Sequence, residues 1–236
     1  MNHTNLQYLL SVLNEEQRKA VVHGDGPVLV LAGAGSGKTR VLIHRIAYLI
    51  ARGRATPDSI MAVTFTNKAA TEMRDRLEKL GGMPLNNCWI STFHSLGARI
   101  LRREAALLGL ESSFNIYDQD DALNCIKLLM EENSAAVKEF PPKAVAYTIS
   151  NAKNAFIDPQ RLDMMANNDL EKYAAIIYQK YEKMLRENNA LDFDDLLRLP
   201  VILFENHPPV LDYYQQKFEY ILVDEYQDTN RSQYYL

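Results

Sequence analysis

The sequence predicts an α/β fold: a parallel sheet flanked by helices, interrupted by an all-helical insertion. Three observations carry this. Apolar strand-like runs give way three times to small or hydroxyl residues and then to a helical repeat, at residues 28–50, 60–67 and 89–103. Between residues 104 and 190 the strand signals vanish and helical spacing takes over. A last apolar run, Tyr220-Ile221-Leu222-Val223, ends in Asp224-Glu225. Strands alternating with helices specify a parallel sheet, and ligands gather at the carboxyl ends of its strands.

The first helix entry is Leu13-Asn14-Glu15-Glu16-Gln17. Asn14 is placed as N-cap with Gln17 three residues on, the spacing of a capping box. A second role for Gln17 stays open, because a side-chain amide can pair with N6 and N7 of adenine.

The run Val28-Leu29-Val30-Leu31 reads as a strand leading into Ala32-Gly33-Ala34-Gly35-Ser36-Gly37-Lys38-Thr39. Leu42, Ile43, Ile46, Leu49 and Ile50 then share one face of a helix. A loop can cradle phosphates only where backbone N–H groups turn inward without Cβ atoms in the way, which Gly33, Gly35 and Gly37 allow. Lys38 would set a positive charge on the outer phosphates, and the Thr39 hydroxyl would ligate Mg²⁺. Ala32 stands where the usual pattern has its first glycine.

After the turn Thr56-Pro57-Asp58, a second strand, residues 60–65, precedes a helix from Asn67 capped by Thr66. Phe65, Thr66, Asn67 and Lys68 should share a rim with the phosphate loop. Phe65 is either core or, if exposed, a stacking surface for a base. The third junction, Trp89-Ile90-Ser91-Thr92-Phe93-His94-Ser95, leads into a helix with Arg99, Arg102 and Arg103, groups suited to phosphate contacts. His94 by itself reads equally as a satisfied buried histidine.

In the insertion, Leu123, Ile126 and Met130 mark one helix, and Tyr173, Ile177, Tyr181 and Met184 another whose tyrosine stripe reads as core. Pro141-Pro142 and Asp158-Pro159 mark breaks. Leu191-Asp192-Phe193-Asp194-Asp195 reads as a capped helix start with a solvated acidic turn, and less readily as a metal site. The final strand reads as buried. With a phosphate loop upstream, Asp224 at its end would hold Mg²⁺ and Glu225 could accept a proton from an attacking water.

Composition bounds these readings. A chain of 236 residues, 47% hydrophobic, can bury a substantial core. No basic-then-apolar leader and no membrane-length apolar run are present, so the expectation is a cytoplasmic protein without membrane contact. Cys88 and Cys125 lack the spacing of a zinc site and read as buried thiols. Residues 1–103 hold 14 Lys+Arg against 7 Asp+Glu, whereas residues 104–236 hold 12 against 23. The basic part contains the phosphate loop, where positive charge suits nucleotide and nucleic-acid backbone alike.

Six of these segments, in order, resemble the superfamily 1 DNA helicases of the UvrD, PcrA and Rep type. LNEEQRKAV at 13–21 is similar to the Q motif, AGAGSGKT at 32–39 to motif I, TFTNKAA at 64–70 to motif Ia, and STFHS at 91–95 to motif Ib. LDFDDLL at 191–197 resembles the segment re-entering the first RecA-like domain, and DEYQDTN at 224–230 motif II. The resemblance implies a RecA-like domain 1A over residues 1–103 and 191–236, and a helical 1B subdomain over 104–190 that touches duplex DNA. It makes Ala32 ordinary, assigns Gln17 to adenine, and sets Arg40 beside the nucleotide.

The same likeness implies that ATP and Mg²⁺ are bound by Gln17, residues 32–40 and Gln227, with Thr39 and Asp224 on the metal. Lys38, Asp224 and Glu225 become the catalytic group, and Gln227 the link between the ATP and DNA sites. Thr64, Phe65, Asn67, Thr92 and His94 would line the path of single-stranded DNA up to its junction with duplex. The implied activity is 3′ to 5′ unwinding in repair or replication, beside proteins of those pathways. Motif III and the second RecA-like domain, whose arginines stabilise the transferred phosphate, would belong to a longer parent, leaving this part without competent motor activity. Two other readings compete. One is a non-catalytic module that binds DNA or a helicase. The other is a GTPase or small-molecule kinase, which the absence of an N-K-x-D guanine signature disfavours.

Overall fold

The structure, a computed structural model, describes residues 3–33, 35–81, 87–133 and 140–236. In chain order the helices of the first half are α1 (His3–Ser11), α2 (Glu15–Val22), α3 (Lys38–Ala51), α4 (Asn67–Gly81), α5 (Phe93–Arg103) and α6 (Gln119–Glu132). The second half adds α7 (Pro142–Asn154), α8 (Pro159–Met165), α9 (Asp169–Glu187), α10 (Phe193–Asn206), α11 (Pro208–Lys217) and α12 (Arg231–Tyr235). The strands are β1 (Ile60–Thr64), β2 (Trp89–Thr92), β3 (Asn115–Tyr117), β4 (Ala190–Asp192) and β5 (Tyr220–Val223). The fold is mixed α/β with a parallel sheet, as the alternation of strands and helices predicts.

The chain divides into two compact units, Met1–Leu96 with Pro209–Asp228, and Gly97–Pro208 with Thr229–Leu236. In the first, a three-stranded sheet runs β2-β1-β5 with both ladders parallel. Every residue of the central β1 is buried, as expected of a strand covered on both faces. Val21, Ile43, Ile46, Leu49, Ile60 and Ile90 anchor the core beneath the helices, and each such side chain contributes about 1.5–3 kcal/mol by leaving water.

Two strand expectations need correction here. Val28–Leu31 forms no strand: it pairs with none of the described strands, and Leu29 and Leu31 are 68% and 86% exposed. Four apolar residues satisfy the composition of a strand, but a strand exists only with a neighbour to take its hydrogen bonds. Nor is β5 fully buried. It lies at the sheet edge, with Ile221 59% exposed.

Local signals elsewhere coincide with the structure. Asn14 and Gln17 form the capping box of α2, and the Thr66 hydroxyl accepts from the Ala69 N–H at 3.1 Å. Beyond α2 the Arg45 guanidinium donates to the carbonyls of Val21, His23 and Gly24, holding the chain as it turns toward the phosphate loop.

Helix α1 docks on α3 through Leu9 and a buried imidazole, with Leu13 of the following turn in the same core: His44 Nδ1 donates to the Leu9 carbonyl at 2.9 Å. Burial lowers the His44 pKa below its ordinary 6.5, outweighing the Leu9 hydrogen bond, and Arg40 lowers it further. Because the folded-state value is depressed, the stability contributed is complete above pH 6.5 and lost as pH falls through the folded value. The acid-induced fall in melting temperature is therefore expected to shrink by about 2–4 °C in His44→Asn, measured between pH 7.5 and 5.5. An unchanged fall would clear the imidazole of that role.

The second unit is mostly helical, with α9 at its centre. Tyr173, Ile177, Tyr178 and Tyr181 of α9 are buried against α6, α7 and α8, so the tyrosine stripe is core. Pro142 and Pro159 each stand at the first position of a helix, where a missing N–H does no harm. This unit is not strictly all-helical. Strands β3 and β4 form a short parallel ladder that three-residue segments could not announce by periodicity. Cys88 is buried, and burial pushes its thiol up to about 12; Cys125 is only half-buried.

Candidate nucleotide site and nucleic-acid rim

The phosphate loop is built by local backbone geometry. Gly35 and Gly37 take left-handed φ values of 74° and 87°. The Ser36 hydroxyl donates to the Gly33 carbonyl at 2.6 Å, closing the turn. Gly37 is the N-cap of α3 and offers no side chain to its first-turn N–H groups. Those donors, at the positive end of the helix, form the kind of opening that takes an anion. Ala32, Gly33, Gly35 and Ser36 are exposed; Ala34, assigned to the same loop, lies outside the described residues.

Gln17 makes its expected capping contact and a second one that the sequence did not suggest. Its Oε1 accepts from the Asn14 N–H at 3.2 Å in the capping box, while its Nε2 donates to the Ser36 carbonyl at 2.9 Å. A Cβ on Gly37 would come within 3.0 Å of that Nε2, so only glycine fits beneath it without displacement. Arg40 is exposed one turn farther along α3.

Across from the loop, β5 delivers the acidic pair. The Asp224 N–H continues the β1 ladder by donating to the Val63 carbonyl at 2.9 Å, which fixes the carboxylate at the strand end. Asp224 is 4% exposed, and its Oδ2 accepts from the Thr39 hydroxyl at 3.1 Å. Burial lifts its pKa, opposed by the Thr39 hydrogen bond and reinforced by Glu225. Glu225 follows with a left-handed φ of 52°, a conformation that costs a non-glycine residue about 1–3 kcal/mol. The bend directs its carboxylate to Gln227 Nε2, which donates at 2.5 Å, and leaves Lys38 Nζ 3.8 Å away. Lys38 also donates to the Ala32 carbonyl at 3.3 Å.

Thus the loop lysine, the loop threonine, both motif carboxylates and Gln227 converge, although 185 residues separate Thr39 from Asp224. Thr39 and Asp224 offer two hard oxygens side by side, a donor set that suits Mg²⁺, which keeps waters and substrate phosphates as its other ligands. Among the described residues no group of three or more His, Cys, Asp or Glu could hold a metal.

The other rim residues lie at the carboxyl ends of β1 and β2. Thr64 and Thr92 are register partners and both buried; the Thr92 hydroxyl is engaged by Ser95. Phe65 is half-buried and packs edge-to-face on Phe93 at 5.7 Å, whereas Asn67 is exposed and His94 half-buried. The threonines therefore shape the rim from within, and Phe65, Asn67 and His94 reach its surface.

Residues 13–236 match the profile of the UvrD/REP helicase N-terminal domain. The chain belongs to this family. Among curated relatives, it is 48% identical over its whole length to the ATP-dependent DNA helicase PcrA of Bacillus subtilis. It is 47% identical over 97% of its length to the proteins of that name from Staphylococcus aureus and Staphylococcus epidermidis. It spans 31–32% of the length of these relatives. As a UvrD/REP-family chain it has no described helix long and apolar enough to cross a membrane.

The acidic segment at 191–197 requires a correction. Asp192 caps α10 as expected, but it and Asp195 are buried, not solvated, because Lys153 of α7 meets both. Sequence reasoning had no signal for Lys153. Arg198, at i+3 from Asp195, continued the same spacing and could have suggested a paired acidic face.

Proposed function

We propose that this chain supplies the ATP-binding and DNA-tracking part of a 3′ to 5′ DNA helicase. In this reading residues 1–103 and 191–236 form domain 1A, and 104–190 the 1B subdomain. The observation that carries the proposal is the Thr39–Asp224 hydrogen bond, which brings phosphate loop and acidic strand end into one site. Family membership and the relatives' shared name support it.

In this reading the inward N–H groups around Gly35 and Gly37 receive the phosphates of ATP. Lys38 releases the Ala32 carbonyl to meet the outer phosphates. Gln17 and Arg40 border the nucleotide, and Gln17 exchanges its hold on Ser36 for the adenine edge. Thr39 and Asp224 would hold Mg²⁺, which when bound neutralises charge developing on the phosphates. Glu225 accepts the proton of the attacking water, and Gln227 positions its carboxylate. Phe65, Asn67 and His94 present stacking and polar groups to a single strand, with Thr64 and Thr92 setting their position. Repair or replication proteins would be partners of the whole helicase.

The arginines that stabilise the transferred phosphate are assigned to a second RecA-like domain, and their loss costs about 10³–10⁵ in rate. The test is a titration of this chain with Mg·ATP and Mg·GTP, followed by steady-state hydrolysis with and without single-stranded DNA. ATP preferred over GTP, weak strand binding and no motor-rate turnover are expected. Preference for GTP would overturn the assignment, and robust DNA-stimulated turnover would overturn the division of labour.

A further inference from the structure

The helical unit conceals a charged cluster that the nucleotide site does not use. Lys153, its side chain 0% exposed, meets three carboxylates: Asp192 at 2.7 Å, Asp195 at 2.9 Å and Glu182 at 3.0 Å. Arg198 bridges Asp195 and Glu182 at 2.9 and 3.1 Å and donates to the Tyr178 hydroxyl at 2.8 Å. Beneath the ammonium lies the Tyr181 ring, at 5.0 Å.

The charges do not balance: three carboxylates face two cations. Among the described residues no third cation meets these carboxylates. From α7, Asn154 donates to Asp194, and its carbonyl takes the Ser232 hydroxyl of α12. From α6 the half-buried Cys125 packs against the same core. Removal of charges from water is expensive unless each is matched, so one negative charge is surplus in a buried site.

We propose that this cluster is a proton-linked latch: Lys153 and Arg198 tie α7, α9 and α10 through Asp195 and Glu182, while Asp192 takes up the surplus as a proton and tightens the unit below neutral pH. Asp195 accepts from both cations, which hold its carboxyl below the ordinary range against the effect of burial. Of the two cations Asp192 meets only Lys153, its other oxygen accepting the Asp195 N–H at 2.9 Å; burial and then Asp195 push it up to about 6. A carboxyl raised in the folded state contributes stability that is complete below its unfolded value and lost as pH rises through the folded one. The window of loss therefore ends near pH 6.

The experiment compares Asp192→Asn with Asp195→Asn in this chain. Asparagine preserves the N-cap at 192 and restores charge balance, so Asp192→Asn should melt no lower than the parent at pH 7.5. The parent should gain about 2–4 °C on that variant between pH 7.5 and 5. Carboxyl carbon NMR should show one resonance titrating near pH 6 that disappears in Asp192→Asn. Asp195→Asn, which strips a partner from both cations, should melt several degrees lower at every pH. Equal destabilisation by the two variants, or a parent-to-Asp192→Asn difference that ignores pH, would overturn the latch. If Asp195→Asn fails to fold, the Asp192→Asn melts and the NMR titration decide alone.

Discussion

Gly97→Ala is expected to destabilise the helical unit by about 3 kcal/mol or more, at or beyond the upper end of ordinary overpacking. A Cβ on this residue of α5 would stand 1.8 Å from the Leu196 carbonyl oxygen and 2.9 Å from its carbon. The obstacle is backbone, which cannot swing aside as a side chain would. Its origin lies one turn on. Pro200, inside α10, has no N–H to give the carbonyl four residues earlier. The Leu196 oxygen is thereby released from the helix ladder and lies against Gly97. Urea denaturation of Gly97→Ala should show a large drop in midpoint at an unchanged slope; a midpoint close to the parent's would mean that α5 and α10 can separate freely.

The second large effect concerns binding. Lys38→Ala should weaken Mg·ATP by about ten- to a hundredfold, the equivalent of losing one charged hydrogen bond of about 1.5–3 kcal/mol. Lys38 is half-buried and its present partners are one carbonyl and one distant carboxylate, so folding should be little affected. A fluorescent-nucleotide titration beside a thermal melt separates the two effects. Unaltered affinity would remove the phosphate-loop assignment. Loss of nucleotide affinity with single-strand affinity retained would show that the DNA rim works independently of the ammonium.

Much of the candidate site was legible because its determinants are local. Glycine spacing at 33, 35 and 37, the Asn14–Gln17 box and the Thr66 cap each need only a few consecutive residues to specify their geometry. That Asp224 and Thr39 meet was readable only as a consequence of two motifs sharing one sheet end. Other features depended on partners that no spacing could reveal. Asp192 announced itself as a cap, but its burial is decided by Lys153, 39 residues upstream. Nothing local marks Gly97, whose constraint comes from the Leu196 carbonyl 99 residues downstream in the chain. Val28–Leu31 had the residues of a strand but no partner among the described strands.

That segment and the outer edge of β5 have a colloidal consequence. The outer edge of Tyr220–Val223, which no described strand covers and from which Ile221 projects, and the bare leucines at 29 and 31 are each self-adhesive surface. Concentrated solutions of the 236-residue chain should scatter light increasingly with time. A lysine in place of Ile221 or Leu31 should keep them clear.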